Sequence, residues 1–314
     1  MTRSNQTGLE NKNDAIREKL LNWLPEGGEY QTPVNGFFLF RKNECECPEN
    51  CFYEPAVGVI LQGQKHSFIG SREYRYGEGW CLVNGIDLPA KNYILDATPD
   101  NPFLGMGMRL DKSLTTQLAA EIPPSSKTGT EPDCGLSLTR TDPDILDAFS
   151  RLLDLLDKPE QIPVMAPMII REIHYRLLIG PQGPFLRAVN TFGTQGHQVA
   201  QAISWLRKNY KEPIQVDELA KKVNMATSTF HRHFKQLTSL SPLQFQKRLR
   251  LYEAQRLMLV ENEYASSACM AVGYESPTQF NREYKRLFGE PPSRNINKVR
   301  ELRIRTVDSV SVQP

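Results

Sequence analysis

The feature that most constrains this chain is a repeat in its C-terminal third. Phe230, Phe234 and Leu237 fall at i, i+4 and i+7, and fifty residues later Phe280, Tyr284 and Leu287 repeat that spacing. Apolar residues so placed share one side of a helix and predict a buried face. Around the helix from them, the first copy carries Ser228, His231, Arg232 and Lys235. At the same offsets the second carries Thr278, Asn281, Arg282 and Lys285. At about 100° per residue each set of four makes one polar stripe opposite the apolar one.

Each of these helices follows a shorter one across a tight turn. Val216–Val223 leads into Asn224-Met225-Ala226, and Ser266–Val272 leads into Gly273-Tyr274-Glu275-Ser276. Two helices joined in this way, the second presenting polar side chains, predict a helix-turn-helix that sets its second helix into a major groove. The residue types suit the task, because Arg pairs with guanine edges, Asn with adenine edges, and Lys with phosphate. Between the copies, Leu243–Val260 reads as one helix of about 27 Å at 1.5 Å per residue. Such a spacer fits recognition helices in successive major grooves about 34 Å apart. Charge points the same way. Residues 190–314 hold 19 Lys/Arg against 11 Asp/Glu, whereas the rest of the chain holds 19 against 25. A basic third on an acidic body suits a polyanion such as double-stranded DNA.

The run "VDELAKKVNMATSTFHRHFKQLTSLSPLQFQKRLRLYEAQRLM" followed by "VGYESPTQFNREYKRLFGEPPS" closely resembles the AraC/XylS transcriptional regulators over about 100 residues. The resemblance implies sequence-specific binding of promoter DNA. By motif position, base contacts fall on Ser228, His231 and Arg232 in the first helix and on Thr278, Asn281 and Arg282 in the second; Lys235 and Lys285 face phosphate. Two departures stand out. Ser239 occupies the place of a usual glycine before the Ser-Pro pair, which predicts a different turn there. Ala265 and Cys269 replace larger and smaller aliphatic residues, which predicts a second unit less firmly packed.

The first half has another texture. Val34–Phe40, Ala56–Leu61, Lys65–Ile69, Trp80–Val83, Tyr93–Ala97 and Phe103–Leu110 are rich in β-branched and aromatic residues and are separated by Gly, Pro, Asn and Asp turns. Many short strands at close spacing predict a small barrel or sandwich. Asp142-Pro143 then opens a helix, with Ile145, Leu146, Phe149, Leu152, Leu153 and Leu156 on its apolar side. A second apolar helix runs from about Val164 to Ile179, and the Gly/Pro-rich stretch beyond it reads as a linker to about Gly196. The runs "YEPAVGVILQGQKHSFIG", "LVNGIDLP" and "REIHYRLLIGPQG" resemble the AraC_N-type effector domain. This implies an α+β chain: an N-terminal arm or helix over 1–29, a cupin-like sensor β-barrel over 30–125, linker or dimerisation helices over 140–190, and an all-α double helix-turn-helix over 197–300.

A cupin-like barrel raises an enzyme, or a ligand-binding protein fused to a DNA anchor, as the alternative. Metal sites in such barrels want several histidines and a carboxylate. The strand region has one histidine, His66, and no phosphate-loop, dinucleotide or nucleophile-elbow motif is present. A non-enzymatic regulator without a cofactor is therefore the expectation. Phe38, Phe40, Phe68, Tyr74, Tyr76, Trp80 and Tyr93 are expected mainly as core, with a small-molecule cavity as the other use.

The stretch "CECPENC" gathers Cys45, Cys47 and Cys51 within seven residues. A Cys45–Cys47 bridge would be strained, since about 6.6 Å separates residues two apart on a strand. Three readings stay open: an inert reduced loop, a redox or electrophile sensor, and a soft-metal site with Cys81 or His66 as a fourth ligand. The N-terminal residues are polar, and no apolar run approaches the length of a membrane span, so a cytoplasmic protein is expected. Promoter DNA is the main partner expected; RNA polymerase, a small-molecule effector and a second copy of the chain are further candidates.

Overall fold

Alternation along the chain decides the first half. In Phe37–Lys42 the side chains of Phe37 and Leu39 are buried while Phe38 and Phe40 are only partly so, the period-2 pattern of a strand with unequal faces. The structure, a computed structural model, describes residues 3–45, 49–123 and 135–308. It divides into two units, residues 1–201 with 232–239, and residues 202–231 with 240–314.

In the first unit, helix α1 (Arg3–Trp23) precedes nine strands: β1 (Gly28–Gln31), β2 (Phe37–Lys42), β3 (Glu49–Tyr53), β4 (Ala56–Gln62), β5 (Gln64–Ile69), β6 (Arg72–Gly77), β7 (Trp80–Asn84), β8 (Leu88–Ile94) and β9 (Phe103–Arg109). A tenth, β10 (Leu136–Arg140), follows helix α2 (Lys112–Glu121). All pairings are antiparallel. They build a six-stranded sheet in the order β1-β2-β9-β4-β7-β10 and a four-stranded sheet in the order β3-β8-β5-β6. One of the chain's passages between the sheets, from β4 to β5, is made at Gly63, whose φ of +83° only glycine adopts freely. Together the two sheets make the cupin-like half of an α+β protein.

Strand boundaries differ from the expected ones where local chemistry competes. Val34 is buried but lies in the turn that Gly36 completes, so β2 starts later than the apolar run suggested. Strand β8 begins five residues earlier than Tyr93, at Leu88, and runs through Pro89, which pairs with Phe52. Proline demotes a strand in sequence, yet here it keeps the register. Gly105 and Gly107 of β9 lie beneath the rings of Phe40 and Phe38, where a Cβ would collide with either ring.

Helices cover this unit. Asp142 caps α3 (Pro143–Asp154) by accepting the Asp144 N–H at 2.8 Å, as its Asp-Pro start required. Phe149 of α3 meets Phe37 of β2 with ring centroids 6.1 Å apart. Helix α3 packs on α4 (Ile162–Ile179), and α4 on α2 and α5 (Gly183–Asn190). The expected linker up to Gly196 is thus partly helix. Pro184 opens α5, and Phe185, Leu186 and Val189 bury one side, a two-turn pattern concealed by its Gly and Pro neighbours. Helix α6 (Gln195–Lys208) follows.

The second unit is helical: α7 (Val216–Lys222), α9 (Pro242–Val260), α10 (Ala265–Ala271), α11 (Pro277–Phe288) and α12 (Pro292–Asp308), with α6 and α8 (Thr227–Thr238) shared between the two groupings. Ser241 and Gln244 form a reciprocal capping box at the start of α9. No helix of the described residues is long and apolar enough to cross a membrane.

His174 ties α4 to the start of α2. Its Nδ1–H donates to the Ile170 carbonyl at 2.8 Å, and its Nε2 accepts the Asp111 N–H at 3.0 Å. Burial holds its pKa below the usual 6.5, with the Ile170 carbonyl and Asp111 opposing. The unfolded chain therefore takes up a proton before the folded one does. Stability should fall as pH drops below about 6.5, by at most about 1.4 kcal/mol per pH unit from this group. Thermal unfolding followed between neutral and mildly acidic pH checks this, and His174→Gln should flatten the slope.

Candidate nucleic-acid interface

The eight side chains singled out by the repeat take the same positions on two helices. On α8, Ser228, His231, Arg232 and Lys235 are exposed, while Phe230 and Phe234 are fully buried and Leu237 nearly so. On α11, Thr278, Asn281, Arg282 and Lys285 are exposed, with Phe280 and Tyr284 buried and Leu287 half-buried. Burying the aromatic side of each helix leaves the polar stripe the outward direction. His233, by contrast, is buried, and its Nε2 lies 3.3 Å from the Arg232 guanidinium.

Both turns preceding these helices use left-handed residues. Asn224 (φ +57°) closes α7, and Gly273 (φ +85°) closes α10. Ser276 caps α11 by accepting the Gln279 N–H. Gln279, exposed on the same helix, donates to Glu283 at 3.2 Å; Glu283 also accepts from Tyr274 Oη and Lys247 Nζ, each at 2.8 Å. Those donors hold its carboxyl below the usual range against the opposing effect of burial. This network does not show in the sequence, because Lys247 of α9 and Tyr274 of the turn join the i, i+4 pair Gln279–Glu283 only in the fold.

The residues expected to loosen the second helix-turn-helix lie in or against its core. Cys269 is wholly buried in a core with Leu251, Ala268, Val272, Phe280 and Tyr284, and Ala265 packs against it. Aromatic contacts close the space: Tyr274 to Phe280 at 5.3 Å, Phe280 to Tyr284 at 5.5 Å, and Tyr284 to Phe288 at 4.4 Å. Ser239 does not change the turn. It adopts φ +60°, and its N–H donates to Lys235 at 2.8 Å; Gly289 does the same with φ +85° and Lys285 at 2.8 Å.

In the first unit the thiols separate. Cys45 is exposed, with its sulfur 2.9 Å from the Leu95 carbonyl. Cys47 lies outside the described residues. Cys51, half-buried in β3, receives the Asn92 side-chain N–H at 3.0 Å. The Asn92 carbonyl oxygen accepts from Tyr53 at 2.6 Å and Ser67 at 2.8 Å, and Ser67 meets Tyr76 at 3.0 Å. Every strand of the small sheet contributes to this chain of bonds, β3 with both Cys51 and Tyr53. Burial pushes the Tyr53 hydroxyl well above the usual tyrosine range, so it stays a donor. The two further metal-ligand candidates sit on different sheets. Cys81 is fully buried in β7, its thiol pushed up to about 12 by burial and by Asp142; His66 in β5 lies 2.7 Å from Glu73, with its ring tilted against Phe68 at 4.3 Å between centroids. Among the described residues no three His, Cys, Asp or Glu side chains converge to hold a metal. Of the aromatic set, Tyr76 and Trp80 line a cavity of about 480 Å³ with Gln64, Arg75, Glu78 and Arg140, and Arg140 lies over the Trp80 ring at 4.4 Å.

Two family descriptions match this chain. "AraC-type transcriptional regulator N-terminus" covers residues 33–185, and "Helix-turn-helix domain" covers residues 219–297. The chain is a member of the AraC family of transcriptional regulators. It is 28% identical over 100 residues to the transcriptional activator RhaS of Pectobacterium carotovorum, covering 32% of this chain and 36% of that protein. To the regulator ArgR of Pseudomonas aeruginosa it is 27% identical over 111 residues, 35% of this chain and 34% of that one. The match thus spans about a third of these relatives' length. In fold, the chain is similar to an apo ToxT variant from Vibrio cholerae, with a TM-score of 0.56, 10% identity, and coverage of 85% of this chain and 98% of that one. ToxT bound to an unsaturated fatty acid gives a TM-score of 0.54 at 10% identity, covering 85% and 97%. RhaS and ArgR are regulators of transcription, and the family is one of DNA-binding regulators.

A left-handed conformation costs a residue with a Cβ about 1 kcal/mol. Ser239→Gly should therefore stabilise this AraC-type chain by about 1 kcal/mol. Gly289→Ala, where no atom lies within 4 Å of the added Cβ, should destabilise it by a similar amount. Denaturant unfolding of both variants beside the parent is the check.

Proposed function

We propose that this chain is a one-component transcription factor whose α8 and α11 enter successive major grooves of double-stranded promoter DNA. Ser228, His231, Arg232, Thr278, Asn281 and Arg282 read base edges, and Lys235 and Lys285 hold phosphates. The observation that carries this is the matched exposure of all eight side chains on two helices whose opposite sides are buried aromatic residues. The excess of Lys and Arg beyond residue 190 supports it.

On this reading residues 197–300 bind DNA, the segment 30–125 receives a signal, the helices of 140–190 relay it or pair with a second copy, and 1–29 is an accessory arm. The signal is a small molecule in the N-terminal unit or a thiol-reactive agent at Cys45, Cys47 or Cys51. Cys51 supports the thiol arm because its sulfur ends the hydrogen-bond chain that crosses the small sheet. The ToxT structure with a bound unsaturated fatty acid supports the small-molecule arm by fold alone. RNA polymerase is the downstream partner, and the setting is the cytoplasm.

Arg232→Ala should cost about 1–3 kcal/mol of affinity and relax preference at one base pair, whereas Lys235→Ala should weaken all sequences alike and reduce the salt slope by about 1. Titrations on selected and random duplexes at several salt concentrations distinguish these outcomes; equal loss from Arg232→Ala on both duplexes would contradict its base-reading role. For the signal, DNA affinity measured with and without an oxidant or an α,β-unsaturated aldehyde should change in the parent and not in Cys51→Ser. An unaltered response in Cys51→Ser would remove that thiol from the account.

A further inference from the structure

Arg250 lies at the middle of α9, the helix between the two helix-turn-helix units, and its guanidinium donates to four backbone carbonyls. Nε reaches Tyr210 at 2.7 Å; Nη2 reaches Lys211 at 2.9 Å and Glu212 at 3.2 Å; Nη1 reaches Gly273 at 2.7 Å. Residues 210–212 lead from α6 towards α7, the first helix of the first unit. Gly273 is the turn between α10 and α11 in the second unit. A single side chain therefore grips both units by their backbones.

Neighbouring features act in the same direction. Gln246, one turn earlier on α9 and buried, donates to Tyr210 at 3.0 Å and to Glu212 at 2.5 Å. At Gly273 a Cβ would collide with the Lys211 carbonyl oxygen, so the turn between α10 and α11 comes against the loop before α7 with no room for a side chain. Lys247 of α9 holds Glu283 of α11 at 2.8 Å. Helix burial alone would let α10–α11 rotate on α9 by small amounts. Four bonds from one planar fork define an orientation, and a lysine cannot reproduce that geometry.

We propose that Arg250 is a positioning residue that sets the distance and rotation between the two recognition helices, and hence the spacing of the two DNA elements that this chain accepts. It touches no DNA on this account; it acts through α11. The proposal rests on the DNA-binding reading above. One added base pair moves an element by about 3.4 Å and rotates it by about 35°, more than a fixed pair of helices can follow.

The probe is the duplex that the full chain enriches from a random-sequence library, together with versions carrying one base pair added or removed between its two elements. The parent should lose about tenfold or more in affinity on either altered duplex. Arg250→Ala and Arg250→Lys should bind the original duplex less tightly, and their difference between spacings should shrink to within about threefold. A residue that only stabilises the fold would lower affinity for all three duplexes by one factor, so undiminished spacing preference in both variants would overturn the inference. Circular dichroism and thermal unfolding confirm folding, and if Arg250→Ala does not fold, Gln246→Leu is read the same way. Failure of the parent to enrich any sequence would instead sink the DNA-binding reading, and this inference with it.

Discussion

The burial of four aromatic side chains decides what the C-terminal part of this chain can present. Phe230 and Phe234 on α8, and Phe280 and Tyr284 on α11, are all but completely removed from solvent. Each buried aromatic residue contributes roughly 2 kcal/mol or more relative to exposure, so neither helix can rotate without exposing that surface. The outward stripes follow from this as geometry. Arg232, Arg282 and Asn281 need no partner to aim them, because the helices that carry them are aimed from behind.

Much of this was legible in the sequence because helical periodicity is a local property. Stripes separated by three and four residues show themselves without knowledge of the fold, and so does the Asp142-Pro143 helix start. What escaped was set by residues that meet only in the fold. The Glu283 network adds Lys247 of α9 and Tyr274 of the turn to the helix neighbour Gln279. The chain of bonds across the small sheet joins Tyr53, Ser67, Tyr76 and Asn92, which share no pattern until four strands come together. Strand β6, with only Tyr76 and Gly77 buried, reads as polar, and α5 is too short between its glycines and prolines to be distinguished from a linker.

The departures from the family pattern divide in the same way. Ser239 adopts the backbone that glycine takes at position 289, since the helix end must still be closed by an N–H four residues on. Cys269 lies fully buried among Leu251, Val272, Phe280 and Tyr284. At position 239 the fold imposes its geometry and the residue bears a modest strain.

The fork of Arg250 has a consequence for how such a chain can change over generations. Its acceptors are main-chain carbonyls, which exist whatever side chain stands at 210, 211 or 212. The eight outward positions on α8 and α11 are exposed and carry little of the packing. On the DNA-binding reading and the Arg250 role proposed above, the letters that such a protein reads can drift through single substitutions at little cost in stability, while the gap between the words is held in the backbone and resists drift. New target sequences would then be within easy mutational reach, and new target spacings would not.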